Sequence, residues 1–441
     1  MQKIQFLARL MISLQIVCLK IIFTRLTFCN PIVFYICFFK IPKMHFKFLT
    51  PSLFFIFLFF SCNKSEKKAK SNHYKSDLVY AMQPREDSLP KLSAAYIKQK
   101  QNAINSFFIK NWGNDFENVS FLIAKNGQII FEKYEGFADK ENNVLNSPET
   151  PLHIASVSKV LTATAILKLI DAKKMDLNDL VTKFFPGFPY KDVTVKTLLN
   201  HRSGIRKYGY FVDLKGIWDR KNTLTNKDIL TILETKNINQ EYKTNTHFSY
   251  CNTNYVLLAL IIEKVTGMKY REAMKKIIFL PLNMKNTFVV DETTNKNLAT
   301  PSYKGNYRKF AFDYLDNVCG DKNIYSTPRD LMQFDLARNA PNFLSKNLLS
   351  QVYKGYSYES KGTKNYGLGI RMHEWETGQK MYYHNGWWHG NTSSYITLRK
   401  ENAVIIALSN KFTHKTYQLK RLSVLFGDYP FTMEKDTTST E

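Results

Sequence analysis

The strand patterns of this chain lie at the two ends of its folded body, and the long stretch between them reads as helix. Val119-Ser-Phe-Leu-Ile-Ala-Lys-Asn126-Gly127-Gln-Ile-Ile-Phe-Glu132 is two apolar strands joined by Asn-Gly, the dipeptide that tolerates the positive φ of a tight hairpin turn. Three more strand candidates come late, at 380–383, 394–398 and 403–409. Between them, Val160, Ala163, Leu167 and Ile170 recur at helical spacing within 156–173, and 175–300 reads as further helices and loops. Strands at both ends around a helical middle imply an α+β layered fold. The body is expected over 94–430, with 431–441 as a tail.

The segment before the body differs in character. Residues 1–61 carry seven Lys/Arg and no acid. Residues 48–60 form an apolar run behind Lys43 and Lys47, and Ser61-Cys62 closes it. A charged start, a short apolar run and a small residue before Cys resemble a bacterial lipoprotein signal, with Cys62 as the lipid-attachment residue. The run is too short for a comfortable membrane span. Phe59 and Phe60 depart from the usual pattern before such a cysteine. Met44 stands where the signal would begin, so 44–61 reads as signal and 62–93 as a polar, lysine-rich tether. Residues 1–43 are either an over-extended start or an additional membrane segment. The expected setting is the cell envelope, as a lipid-anchored periplasmic lipoprotein.

The formal net charge of +25 raises the question of nucleic acid. The basic residues are mostly single lysines scattered over the whole length, without an arginine-rich stripe, so a solvated basic surface is expected and no nucleic-acid partner. Of six cysteines, only Cys251 and Cys319 fall in the body. That is no disulfide framework and no metal-ligand spacing, so both are expected as small buried residues, with no metal.

Chemistry concentrates at Ser156-Val157-Ser158-Lys159. Ser-x-x-Lys at a helix start puts both side chains on one face, a turn apart, so that an amine sits beside the hydroxyl it must deprotonate. A seryl N–H at a helix N-terminus also stabilises a developing oxyanion. The spacing alone is uninformative: it recurs at Ser61/Lys64, Ser65/Lys68 and Ser88/Lys91, none of them heading an apolar helix. Two other triplets add context. Tyr250-Cys251-Asn252 is placed in a loop just before an apolar helix at 255–265, and His384-Asn385-Gly386 at the end of a strand, where Gly lets backbone approach a ligand closely.

In that order, Ser-x-x-Lys, Tyr-x-Asn and His-x-Gly resemble the serine β-lactamase and penicillin-binding-protein superfamily, closest to its branch of class C β-lactamases, D-alanyl-D-alanine carboxypeptidases, D-aminopeptidases and related esterases. The likeness covers roughly 95–415. Phe121–Gly136 is similar to the family's opening hairpin, and Thr194-Val-Lys-Thr-Leu-Leu-Asn-His201-Arg-Ser203-Gly204 to its "LLtHtSG" segment. Ile324-Tyr-Ser326-Thr-Pro-Arg-Asp330-Leu and Tyr366-Gly-Leu-Gly369 also match segments typical of it. The resemblance implies a β-lactamase/transpeptidase-like fold, an antiparallel sheet flanked by helices plus a mostly helical subdomain.

It also implies roles. Ser156 is the nucleophile, and Lys159, partly desolvated, or Tyr250 is its base. Asn252 holds Lys159 and a substrate amide. His384, Gly386 and Trp387 line the cleft, with the N–H groups of Ser156 and Trp387 as the oxyanion hole. His201 holds a loop together rather than reacting, with Ser203 and Gly204 as turn residues. No cofactor is needed, and a monomer is expected. The third motif departs from the family's Lys-Thr-Gly or His-Thr-Gly. With His384 and Asn385 in place of the cation and the hydroxyl, capture of a carboxylate is expected to be weaker. Trp387 and Trp388 are read either as an aromatic-binding wall or as a cap on the core. The implied activity is an acyl-serine hydrolase for an ester or a D-amino-acid amide or peptide, possible substrates including peptidoglycan-derived ones. The alternatives are a class C-like β-lactamase and a non-catalytic penicillin-binding or sensor protein.

Overall fold

The computed structural model describes residues 89–113, 117–291 and 293–433. The expectations for 1–61, for Cys62, and for most of the tether and tail fall outside the described residues.

The first and last strands of the body meet in one sheet. Strands β1 (Val119–Lys125) and β2 (Gln128–Glu135) form the expected hairpin, with Asn126 at φ 53° and Gly127 at φ 73° in the turn. Two short strands, β3 (Phe137–Asp139) and β4 (Val144–Leu145), pair with each other, and β5 (Leu152–His153), β6 (Phe288–Val289) and β7 (Ile324–Ser326) make a small three-stranded sheet. The late strands are β8 (Lys364–Tyr366), β9 (Arg371–Glu374), β10 (Lys380–Trp388), β11 (Asn391–Leu398) and β12 (Ala403–Ser409). The main sheet runs β2-β1-β12-β11-β10-β9-β8, every pair antiparallel. Its centre joins segments almost three hundred residues apart, with Ser120 opposite Leu408.

Side chains alternate between two cores, as the period of a strand requires. Phe121, Ile123, Ile396 and Ile405 face helix α1 (Ala94–Trp112) and the 3₁₀ segment Lys415–Leu425. Leu122, Tyr395, Ile406 and Leu408 face the helical body. With both faces covered, β1 and β12 read as nearly unbroken apolar runs, unlike the alternating pattern of a half-exposed sheet. The helical body is organised by α2 (Ser158–Asp171) and α3 (Asn252–Thr266), with α4 (Pro328–Arg338) further along. In α3 every residue from Thr253 to Ile262 is buried, the signature of a helix inside a core.

Three local expectations need correction. The helix of 156–173 opens with a 3₁₀ turn at Ala155–Val157 and stops at Asp171, because Lys173 takes a left-handed conformation at φ 56°. Helix α3 starts at Asn252, so this residue is helical rather than part of a loop. Strand β10 runs on through His384-Asn385-Gly386, paired to β11 along its length, so that triplet lies within a strand and not at its end. Cys251 is buried as expected, whereas Cys319 is half-buried, and both thiols are free.

Candidate active site

The nucleophile turn is held by three neighbours in space. Strand β5 brings in His153, whose Nδ1 accepts the Ala155 N–H at 3.1 Å. Its Nε2 lies 3.1 Å from Asn323 Oδ1 and therefore carries the proton. Burial pushes this imidazole down to about 4, so it stays neutral. Ala155 itself sits at φ 47°, a conformation uncommon for a residue with a Cβ and one that needs outside support. On the far side, Ser393 Oγ donates to the Ile154 carbonyl at 2.7 Å. Gly386 of β10 lies so close that an added Cβ would stand 2.6 Å from the Ile154 oxygen and 2.9 Å from Ala155 Cβ. Among the described residues no side chain caps the N-terminus of α2, where the N–H groups of Val157 and Ser158 already bond to the Ile154 and Ala155 carbonyls of the 3₁₀ turn.

One turn on, Lys159 is wholly buried. Its Nζ lies 3.0 Å from Ser156 Oγ and donates to the Asp321 carbonyl at 2.7 Å. Its Nζ also lies 5.1 Å from the Tyr250 ring centroid and 5.7 Å from that of Tyr255. The expectation that Asn252 holds Lys159 is not met: among the described residues Asn252 Oδ1 has no hydrogen-bond partner, and the Asp321 carbonyl takes that place. Tyr250 Oη is likewise buried without a partner. Two unsatisfied buried polar atoms from one Tyr-x-Asn triplet call for an explanation, and a substrate that supplies the missing partners is one.

Strand β10 sorts the third triplet between two faces. His384 and Gly386 point to the nucleophile side, while Asn385 points to the other, where its Oδ1 accepts from Ser394 Oγ at 3.0 Å. Asn385 therefore replaces nothing in the cleft. His384 is fully buried rather than lining the cleft surface, with Nδ1 donating to the Asn385 carbonyl at 2.8 Å and Nε2 accepting from Tyr366 Oη at 3.2 Å. Burial, together with Arg371 and Lys159, holds it well below the ordinary histidine range. The two tryptophans do different things. Trp387 is 60% exposed, whereas Trp388 Nε1 donates to Asp316 Oδ1 at 2.6 Å. Neither caps the core, and Trp388, unlike Trp387, lines a cavity of about 250 Å³ together with His153, Phe310, Asp316 and Tyr325.

Sequence reasoning missed Arg371, Asp321 and His153. The guanidinium of Arg371 lies 4.6 Å from the Tyr250 ring centroid and, among the described residues, makes no hydrogen bond or ion pair. It stands on β9, where no motif flags it. His201 does hold a loop, its Nδ1 accepting the Cys251 N–H at 3.1 Å, and its ring packs 4.4 Å from that of Tyr250. The set as a whole brings together a hydroxyl, a buried amine, a phenol and a cation without a hydrogen-bond partner among the described residues, which are elements of acyl transfer.

A Beta-lactamase family model matches residues 104–425. The chain is 30% identical over 334 residues to penicillin-binding protein 4* of Bacillus subtilis (strain 168), covering 70% of this chain and 72% of that one. It is 31% identical over 218 residues to the teichoic acid D-alanine hydrolase of Staphylococcus aureus, covering 48% of this chain and about half, 52%, of that one. Among solved structures, the octameric penicillin-binding protein homologue from Pyrococcus abyssi is similar with a TM-score of 0.63 at 25% identity, covering 77% of this chain and 79% of that one.

Proposed function

The chain belongs to the Beta-lactamase family of serine hydrolases, and from that premise we propose that it is an extracytoplasmic acyl-serine hydrolase acting on a D-amino-acid amide, peptide or ester. The observation that carries this reading is the fully buried Lys159 amine 3.0 Å from Ser156 Oγ. Ser156 Oγ attacks the substrate carbonyl while its proton passes to Lys159 or Tyr250. The N–H groups of Ser156 and Trp387 receive the charge that develops on the carbonyl oxygen. The leaving group departs with the proton, and water hydrolyses the acyl-Ser156 ester. Asn252 supplies its free Oδ1 to a substrate N–H.

The substrate class draws support from two sides. Arg371 offers an unpaired cation beside Tyr250, suited to a carboxylate at the leaving-group end. The expected loss of carboxylate capture through His384 is thereby offset from a different strand. Beyond Tyr383, β10 has, among the described residues, a strand partner on one side only, which leaves an edge where an extended peptide can pair. The teichoic acid D-alanine hydrolase relative favours a D-alanyl acyl group. The envelope setting and the lipid on Cys62, with 44–61 as signal, 62–93 as tether and 94–430 as the hydrolase domain, belong to the same reading.

A fluorophosphonate probe applied to the protein is expected to add to the peptide carrying Ser156, and Ser156→Ala to abolish both labelling and turnover. That variant should fold normally, because a hydroxyl at a helix start contributes only about 1 kcal/mol. Full turnover by Ser156→Ala would overturn the mechanism. Acylation without turnover would instead indicate a sensor.

A further inference from the structure

The Lys159 amine is anchored by a main-chain carbonyl, and the residue that owns this carbonyl belongs to a buried polar unit outside the three motifs. Asp321, Lys322 and Tyr208 are all buried. Tyr208 Oη donates to Asp321 Oδ2 at 3.0 Å and accepts from Lys322 Nζ at 2.8 Å. Lys322 Nζ also lies 3.4 Å from the Val318 carbonyl, 3.8 Å from Asp321 Oδ1 and 4.6 Å from the Trp388 ring centroid. The carbonyl of Gly320 accepts from Thr162 Oγ1 at 2.7 Å. The 318–322 segment is thus tied to α2 twice, at Lys159 and at Thr162 one turn later.

Such a unit is costly to bury, and well-packed apolar residues of the same volume are often neutral or stabilising in its place. Burial pulls the Lys322 ammonium below the usual lysine range, against the opposing pull of Asp321 and Asp316. Fold stability is therefore a poor explanation for three buried polar groups packed behind one carbonyl. We infer that Tyr208, Asp321 and Lys322 form a positioning unit that fixes the Asp321 carbonyl against Lys159 and so aims the Lys159 amine at Ser156 Oγ. The inference rests on the hydrolase reading above and adds to it residues that touch neither substrate nor nucleophile. When the amine takes the Ser156 proton, the N–H held by this carbonyl becomes a charge-assisted donor, and the bond strengthens as the acyl-enzyme forms. Without the unit the carbonyl is free to drift, and the amine with it.

The test separates rate from affinity. Saturating labelling of Ser156 by the fluorophosphonate gives a limiting acylation rate and a half-saturation concentration for the wild type, Lys322→Met, Tyr208→Phe and Lys322→Arg. Lys322→Met and Tyr208→Phe are expected to lower the limiting rate about 10- to 100-fold, the scale of a misplaced catalytic group. The half-saturation concentration of Tyr208→Phe should stay near wild type even though its thermal midpoint falls, because Asp321 loses a buried hydrogen bond, and Lys322→Arg should restore most of the rate. Wild-type limiting rates in both variants would overturn the inference, as would a fall in affinity as large as the fall in rate in Tyr208→Phe. If the wild type is not labelled at Ser156, the hydrolase reading fails and takes this inference with it. If the wild type is labelled and the variants match it, only the inference fails.

Discussion

The guanidinium of Arg371 lies 4.6 Å from the ring centroid of Tyr250, so a free cation from β9 stands beside a motif residue 121 positions earlier in the chain. A hydrogen bond to a charged group is worth about 1.5–3 kcal/mol, or roughly 10- to 100-fold in rate. Arg371→Gln is therefore expected to lower kcat/KM by about that factor for a peptide ending in a D-amino-acid carboxylate. For a neutral aryl ester the change should be small. Comparing the two substrates with one enzyme preparation checks this. Equal losses on both would mean that Arg371 orients Tyr250 instead of holding a carboxylate.

The third motif invites the substitution His384→Lys, which the sequence alone recommends as a way to restore a cation. The structure reverses that expectation. His384 is fully buried, and Arg371 and Lys159 already push its imidazole towards neutrality. A lysine there is an uncompensated buried charge facing two like charges, a penalty of about 3–5 kcal/mol. Denaturant unfolding should show a loss of this order, and cephalosporin hydrolysis should not improve. A stable His384→Lys variant with raised cephalosporin hydrolysis would contradict the burial argument.

Stability should fall on mild acidification. His153 is pushed down to about 4 by burial, and His201 and His384 are held well below the ordinary value by burial and nearby cations. In the unfolded chain each takes up a proton near 6.5. Between those values the unfolded state binds protons that the folded state refuses, so stability present above about pH 6.5 is lost as pH falls towards 4. His153 alone accounts for roughly 3 kcal/mol at ~1.4 kcal/mol per unit. Asp335, raised to about 6 by burial, and Asp330, raised above the usual carboxylate range by burial, act with the opposite sign but are two groups against three. The thermal midpoint should drop from pH 7 to pH 5, and His153→Gln should flatten the slope. A midpoint that rises over this range would refute the assignment.

Gly386→Ala tests how the nucleophile turn is docked. The new Cβ would stand 2.6 Å from the Ile154 oxygen, a main-chain atom that cannot swing away. The turn must retreat from β10, separating the two N–H groups proposed for the oxyanion. Loss of one such donor costs about 10²–10³ in kcat. Turnover should fall by about that much, with substrate affinity far less affected, whereas Gly305→Ala, with open space around its Cβ and no positive φ, should leave activity intact.

Much of this architecture was legible in the chain. Asn126-Gly127 between two apolar runs announced the β1–β2 hairpin, and the 3.6-residue spacing after Ser156 announced α2, because turn chemistry and periodicity are local properties. The order of the three motifs pointed to the family for the same reason: each is a short, contiguous string. The helical start at Asn252 and the continuation of β10 through Gly386 were misread, since an element boundary depends on which partner backbone continues to pair.

The sequence by itself determined a set of candidate residues for serine-hydrolase chemistry and, for Ser156 and Lys159, the helix start that brings them a turn apart. Tertiary structure alone decided what surrounds them. The carbonyl that anchors Lys159 comes from Asp321, 162 positions away, and the free cation comes from β9. His384 became a buried neutral ring, and Asn385 turned to the far face of the sheet. Those outcomes follow from the pairing of β1 with β12 and of β10 with β11, which sets register and face across the whole chain. A side chain's neighbours, and with them its charge state and partners, exist only once that pairing has formed.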